Sequence, residues 1–131
     1  MRVVLDTNVY ISAMLFGGNC EEILKLASQA LFEVVISKKI IDEIKSVLKK
    51  KFYWTDKQIA EVIKYIKEIS SILNPDISLN IVKEDLADNK IIECAVASNA
   101  TYIVTGDKYH LLPIKEYGGI KILSPIEFLR L

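Results

Sequence analysis

The stretch MRVVLDTNVYISAML, residues 1–15, decides the fold and raises a question about charge. Residues 3–5 form a short apolar run, which predicts a strand buried on both faces. That run leads directly into Asp6, and Thr7 and Asn8 follow before an apolar pattern resumes. A carboxylate at the end of a buried strand is costly unless something compensates its charge. The groups that compensate Asp6 should therefore indicate what this edge of the protein does.

Length and composition predict one cytoplasmic domain without a membrane span. The chain has 131 residues, of which 51% are hydrophobic, enough for a substantial core. No apolar run approaches the roughly 18 residues that a span needs, and no signal peptide is apparent. Cys20 and Cys94 lack a motif spacing, so we expect free thiols in a reducing compartment. Basic and acidic residues number 17 each, so a nucleic-acid surface would have to be a local basic stripe.

Apolar runs that predict strands alternate with stretches of helical periodicity along the whole chain. The predicted strands are 2–5, 32–36, a weaker 79–82, 102–105 and 120–123. The predicted helices are 9–16, 21–30, 38–51, 55–72, 88–99, a short one after Gly106 and a last one from residue 125. This alternation predicts a single α/β domain over residues 1–131, with three layers (α/β/α) and a central, mostly parallel sheet of four to five strands.

Three of the predicted helices are preceded by capping signals. Ser37 can cap the helix 38–51. Thr55 with Gln58, and Ser124 with Glu127, have the spacing of a capping box. We therefore expect these three helices to begin directly after the serine or threonine.

Two acids follow predicted strands. Asp6 comes directly after VVL, and Asp107 comes directly after YIVTG. In parallel sheets, functional sites form outside the carboxyl ends of the strands. Both acids could therefore lie on the same edge of the sheet.

Two further acids lie on the inner faces of predicted helices. In helix 38–51, Glu43 falls at the edge of the apolar stripe. In helix 88–99, Asp88 falls within the apolar stripe, whereas Glu93 falls well off it. Glu43 and Asp88 are therefore the helical acids that we expect to turn toward the body of the protein.

Each acid also has a purely structural interpretation. Asp6 could form an Asx-turn, Asp88 and Asp107 could cap helices, and Glu43 could be a surface residue. Taken together these interpretations weaken, because four converging carboxylates would repel one another and raise one another's pKa. A hard divalent cation resolves that repulsion, and oxygen ligands suit Mg²⁺ or Mn²⁺.

Four stretches of the chain resemble the motifs of the PIN-domain ribonucleases. VVLDTNVYISAML (3–15) looks like the first motif of that family, and SKKIIDEIKSVL (37–48) resembles the segment that carries its helical glutamate. DNKIIECAVASNATYIVTGDKYHL (88–111) resembles the joined third and fourth motifs. GGIKILSPIEFL (118–129) is similar to the tail of the prokaryotic VapC-like group, the toxin components of toxin–antitoxin pairs.

The resemblance implies a metal-dependent endoribonuclease that hydrolyses RNA phosphodiester bonds. It implies Asp6, Glu43, Asp88 and Asp107 as catalytic residues, with Asp6, Asp88 and Asp107 holding Mg²⁺ or Mn²⁺. Thr7, Asn8, Thr105 and Lys108 could position water or phosphate. The implied partners are an RNA substrate, a second copy of the chain and a small antitoxin protein. Relatives often carry more acids where Ala87, Tyr109 and His110 stand, so one and two metal ions are both open.

Other functions are open beside the toxin role. The chain could be an RNA-processing PIN nuclease outside a toxin pair, or a catalytically weak PIN-fold binding module. A phosphatase of the haloacid-dehalogenase type needs a second Asp two residues after the first, but Asn8 occupies that place. A receiver domain needs an early acidic pair and a phosphoacceptor near the middle of the chain, and neither is apparent.

Overall fold

The structure, a computed structural model, describes the backbone of residues 1–76 and 86–131 and the side chains of 1–76 and 89–131. In these parts of the chain, one sheet contains β1 (Arg2–Leu5), β2 (Glu33–Ile36), β3 (Ser70–Ile72), β4 (Tyr102–Val104), β5 (Glu116–Tyr117) and β6 (Ile120–Leu123). The strand order is β3-β2-β1-β4-β6-β5. Neighbouring strands are parallel except β5 and β6, which form an antiparallel edge.

Helices surround this sheet. They are α1 (Thr7–Leu15), α2 (Gly18–Ser28), α3 (Lys38–Phe52), α4 (Asp56–Ile69), α5 (Leu86–Ala97) and α6 (Pro125–Leu129). Helix α5 packs against β1, β2, β4 and α3, while α3 also packs against α4. The predicted α/β/α architecture with a mostly parallel sheet is confirmed. Over the described ranges, no helix is both long enough and apolar enough to span a membrane.

Strand β1 lies in the middle of the sheet, and Asp6 follows directly after its carboxyl end. Val3, Val4 and Leu5 have no exposed surface, as their continuous apolar run predicted. Strands β2 and β3 lie on one side of β1, and β4, β6 and β5 lie on the other. The carboxyl ends of β1 and β4 are therefore adjacent, and the strand order reverses direction between these two strands. In open α/β sheets, ligands bind at such a point.

The starts of the three helices that capping signals precede are confirmed at the atomic level, whereas the helices predicted from residues 9, 21 and 88 begin two or three residues earlier. The hydroxyl of Ser37 accepts a hydrogen bond from the N–H of Ile40 at 3.3 Å. Both capping boxes, Thr55 with Gln58 and Ser124 with Glu127, make their reciprocal side-chain to backbone bonds. These starts could be predicted because capping depends on residues close in the chain.

Several element boundaries differ from the prediction. The helix predicted to reach residue 72 ends at Ile69, because residues 70–72 pair with β2 as strand β3. The described sheet has six strands rather than four to five, since the two-residue β5 adds an antiparallel edge to β6. The weak strand predicted at 79–82 lies outside the described residues. Both added strands depend on a neighbour's backbone, which local sequence does not show.

Candidate active site

Asp6 ends strand β1 and begins helix α1. Its side chain is only 4% exposed, so the carboxylate needs internal partners. Its Oδ1 accepts a hydrogen bond from the N–H of Thr7 at 2.7 Å, and its Oδ2 accepts one from the hydroxyl of Thr105 at 2.6 Å. Its backbone N–H donates to the carbonyl of Val104 at 2.9 Å. Asp6 is therefore held against the end of β4.

Thr105 joins the two acids that follow strands. Its fully buried hydroxyl donates to Asp6 and accepts a hydrogen bond from the N–H of Asp107 at 3.0 Å. Asp107 Oδ1 accepts from the N–H groups of Tyr109 and His110 at 3.0 and 3.1 Å. The other oxygen of Asp107, Oδ2, lies 3.4 Å from Nδ1 of His110. Asp107 thus shapes the turn after β4 and remains half-buried at the same edge as Asp6.

Glu43 approaches the strand ends from helix α3. Its spacing of four residues from Val47 and of eight from Lys51 places all three along one side of that helix. Oε2 of Glu43 lies 2.5 Å from Nζ of Lys90, and both side chains are about one-fifth exposed, at 23% and 20%. This ion pair ties α3 to α5 and supplies a positive charge beside the acids.

Asp6, Glu43 and Asp107 line one cavity of about 540 Å³. Thr7 and Asn8 also line it, and the Asn8 side-chain oxygen accepts from the N–H of Gly106 at 3.2 Å. The predicted meeting of the strand-end acids with the helical glutamate therefore occurs in this cavity.

The charges in this cavity influence one another. The pKa of Asp6 is raised from 3.8 to about 6, chiefly because burial disfavours the charged form. The negative charges of Glu43 and Asp107 raise this pKa further, while the hydrogen bonds from Thr105 and Thr7 lower it. Hydrogen bonds within the protein thus compensate only part of the cost of a negative charge on Asp6.

Three predicted site residues are not among the described residues that line the cavity, and one of them, Thr105, still donates a hydrogen bond to Asp6. Asp88 is in the first turn of α5, but its side chain lies outside the described residues. Lys108 is exposed and is absent from the residues that line the cavity. The cavity therefore brings together part of the predicted set, and the role of Asp88 stays a prediction.

The described carboxylates have the chemistry that a metal ion requires, but they do not by themselves form a complete metal site. Asp6, Glu43 and Asp107 offer carboxylate oxygens, which suit Mg²⁺ or Mn²⁺. Over residues 1–76 and 89–131, no three acidic, histidine or cysteine side chains are close enough to hold an ion. Asp88, whose side chain lies outside the described residues, stays the predicted third ligand.

Sequence reasoning missed several residues at or near the cavity. Phe16 and Phe52 line it, although no motif contains them, and Tyr109 lines it although its motif assigned it no role. Glu93, placed by helical projection off the apolar stripe, is buried with Asn89, because α5 packs against the sheet on one side and α3 on another. The small and apolar residues around much of α5, including Cys94 and Ala95, were the available signal.

The family model described as PIN domain matches residues 2–109, most of the chain. The chain therefore belongs to the PIN domain family, whose members are generally nucleases. The resemblance drawn from the motifs is confirmed at the level of this family.

Two similar proteins extend this result. The uncharacterized protein MJ1680 of Methanocaldococcus jannaschii is 33% identical over 142 residues, covering 98% of this chain and 90% of that protein. The structure of VapBC2 from Rickettsia felis, bound to a DNA fragment from the promoter, matches with a TM-score of 0.65. That match has 18% identity and covers 95% of this chain and 98% of the other, so it establishes the shared fold.

Proposed function

We propose that this protein is a metal-dependent endoribonuclease and the toxin of a toxin–antitoxin pair. One observation carries the proposal: Asp6, Glu43 and Asp107 share a cavity where β1 and β4 end. A buried carboxylate such as Asp6, whose pKa is raised by burial and by the negative charges of Glu43 and Asp107, is costly to the folded protein, and such strain is retained where it serves a site. Membership of the PIN domain family supports nuclease chemistry at this cavity.

In this proposal Asp6, Asp107 and Asp88 hold Mg²⁺ or Mn²⁺. When bound, the cation would polarise the scissile phosphate and lower the pKa of a coordinated water. Glu43 would complete the acidic set and orient water, with Lys90 fixing its carboxylate.

The neighbouring polar residues of the chain hold the acids in place. Thr105 keeps Asp6 and Asp107 in register through one hydroxyl, and Asn8 fixes the turn at Gly106. Thr7 anchors Asp6 through its backbone N–H. Lys108, beside Asp107 and exposed, is proposed only as a contact to the substrate's phosphates.

The toxin role adds partners to the proposal. The Rickettsia felis structure holds VapBC2 with promoter DNA, and the shared fold supports a small antitoxin as partner here. We also propose an RNA substrate, a homodimer and a cytoplasmic location.

A catalytically weak PIN-fold binding module is the second candidate. It is favoured by the close Lys90–Glu43 ion pair, which neutralises one acid without a metal ion. The two candidates differ in whether RNA is cleaved, so one assay separates them.

Cleavage of a mixed pool of synthetic RNAs tests the proposal directly. Wild type should cleave with Mg²⁺ or Mn²⁺ and lose this activity in EDTA. Asp6→Asn and Asp107→Asn should each lower the rate by about 100-fold or more, the scale of losing one charge-stabilising group. Asp42→Asn, an exposed acid one residue before Glu43, is the matched control and should cleave normally. Cleavage that persists in EDTA, or in both site variants, would reject the proposal.

A further inference from the structure

Lys90 differs in its burial from the other lysines of the protein. Its side chain is 20% exposed, whereas every other lysine within residues 1–76 and 89–131 lies at the surface. A lysine is seldom buried to this degree unless a partner compensates its charge. That partner is Glu43, whose Oε2 lies 2.5 Å from Nζ of Lys90. Because Glu43 is itself 23% exposed, both charges of the pair are largely removed from water.

Stability alone does not explain why an ion pair is used at this place. Replacing a largely buried ion pair with apolar residues of similar volume is often neutral or even stabilising, because two charges no longer have to leave water. Apolar contact is available here, since Ile44 and Ile91, the next residues of α3 and α5, are both buried. The charges of Glu43 and Lys90 therefore point to a role in the cavity that Glu43 lines.

The positive charge of Lys90 serves Glu43 and leaves Asp6 without a cation. Among the described residues, Asp6 makes no ion pair, and its side-chain partners are the N–H of Thr7 and the hydroxyl of Thr105. The charges that act on the pKa of Asp6, those of Glu43 and Asp107, are both negative. The cavity thus holds a glutamate that already has a cation beside an aspartate that has none.

The balance of charge indicates how many divalent ions the cavity can take without substrate. When ionised, Asp6, Glu43 and Asp107 carry three negative charges, and Lys90 reduces their sum to two, which one divalent ion neutralises. With the predicted carboxylate of Asp88 added, one ion still leaves a negative charge in excess. A second divalent ion would make either set of groups net positive, and like charges in a partly buried site repel. Without Lys90, the four carboxylates would match two ions.

We infer that Lys90 limits the acidic cavity to one divalent ion, by neutralising Glu43 and leaving the aspartates as the ligands. This inference rests on the metal site of the proposed function. It makes Lys90 and Glu43 positioning residues, since the ammonium group fixes a carboxylate that lies beside the ion without binding it. The motifs by themselves leave one and two ions open, and Lys90 decides between them.

Counting the Mn²⁺ ions bound per chain tests this inference without any reading of activity. Electron paramagnetic resonance measures free Mn²⁺ during a titration of the protein in the absence of RNA. Wild type should bind one ion, and Lys90→Met should bind two, because Glu43 regains its full negative charge. Lys90→Arg keeps the positive charge and should bind one ion. Lys25→Met, which breaks the exposed pair with Glu21 on α2, is the matched control and should also bind one.

Glu43 provides a second test that does not depend on whether Lys90→Met folds. Glu43→Gln keeps the length of the side chain and should still bind one ion. It should weaken Mn²⁺ binding less than Asp107→Asn does, because the inference makes the aspartate a ligand and the glutamate none. Lys90→Met/Glu43→Gln should return from two ions to one, since the second ion depends on the charge of Glu43. Circular-dichroism melts verify that each variant is folded.

The outcomes distinguish this inference from the proposed function. Wild type that binds two ions or none, or a folded Lys90→Met variant that binds only one, would overturn the inference. Equal losses of Mn²⁺ affinity in Glu43→Gln and Asp107→Asn would also overturn it, because Glu43 would then be a ligand. RNA cleavage that requires Mg²⁺ or Mn²⁺ would leave the proposed nuclease standing in the two-ion case. Wild type that binds one ion and cleaves no RNA would reject the proposed function and leave the inference intact.

Discussion

Asp6 carries an electrostatic cost in the folded protein, because burial disfavours its charged form. Because its pKa is raised from 3.8 to about 6, the folded state binds more protons than the unfolded state between these values. The free energy of unfolding should therefore fall as pH rises from about 4 to 7. At about 1.4 kcal/mol per pKa unit, this group accounts for about 3 kcal/mol lost by neutral pH.

Asp6→Asn should remove this pH-dependent loss. In EDTA at pH 7 to 8 the variant should melt above wild type, and the difference should vanish near pH 4. The shape is preserved, because the amide oxygen can still accept from Thr7 and the amide N–H can donate to Thr105. Chemical denaturation across this pH range measures the effect.

Added Mg²⁺ provides the complementary readout for Asp6. It should stabilise wild type more than Asp6→Asn, since a ligand bound only by the folded state adds stability. A variant that is less stable than wild type at every pH would show that Asp6 is purely architectural.

An ion pair joins α3 to α5 beside the cavity. Lys90 neutralises Glu43, whose negative charge also acts on Asp6. Lys90→Met keeps the length of the side chain but leaves Glu43 without this partner. In EDTA we expect a loss of about 1–3 kcal/mol, the cost of leaving a partly buried group unpaired. Restoring stability with Lys90→Met/Glu43→Gln would confirm that charge, and not packing, is responsible.

A double-mutant cycle on urea denaturation measures this coupling. The exposed pair Lys25–Glu21, with nitrogen and oxygen 3.4 Å apart on one helix, is the control and should couple by less than about 1 kcal/mol. Equal coupling in the two pairs would contradict a special role for Lys90 at the cavity.

At the scale of the whole molecule, a second and larger groove lies apart from the cavity that Asp6, Glu43 and Asp107 line. This groove of about 940 Å³ lies between α3 and α4, over the buried Ile59 and Ile63. Its charged lining residues are Lys45, Lys49, Lys50, Lys64 and Lys67, with Asp56 and Glu68. The sequence predicts that residues 52–54 and the helix 55–72, which the structure gives as α4, contribute to a homodimer interface or to an antitoxin groove. Tyr53 is available for it, whereas Trp54 is partly buried against the core.

We predict a homodimer whose salt dependence identifies the surface it uses. A two-fold interface through the groove would bring like lysine rims together. Its dissociation constant should then decrease when the salt concentration is raised from about 0.1 M to 1 M, because the screening length shortens from roughly 10 Å to 3 Å. Light scattering at several concentrations measures this. Lys64→Gln with Lys67→Gln should tighten the dimer at low salt.

Two results would contradict this assembly. Monomers at all micromolar concentrations would reject the homodimer. A dimer whose dissociation constant does not change with salt or with the two lysine substitutions would place the interface elsewhere. If an acidic antitoxin segment binds in the groove instead, its binding should weaken as salt is added.

The sequence by itself determined the features that depend on neighbours in the chain. The buried run before Asp6, the caps at Ser37, Thr55 and Ser124, and the alternation of strands and helices could all be predicted. Backbone hydrogen bonds, capping and periodic burial act over a few residues, so their signals are local. The strand-end position of Asp6 and Asp107 followed from the same local pattern.

Only the tertiary structure decided which distant groups meet. Contacts between elements far apart in the chain pair Glu43 with Lys90, bury Glu93 and make residues 70–72 a strand. They also bring Phe16, Phe52 and Tyr109 to one cavity. Helical projection shows which way a side chain points relative to its own helix. It does not show whether a second element covers that side, as α3 and the sheet cover α5, and this is why Glu93 and Lys90 could not be assigned from the sequence.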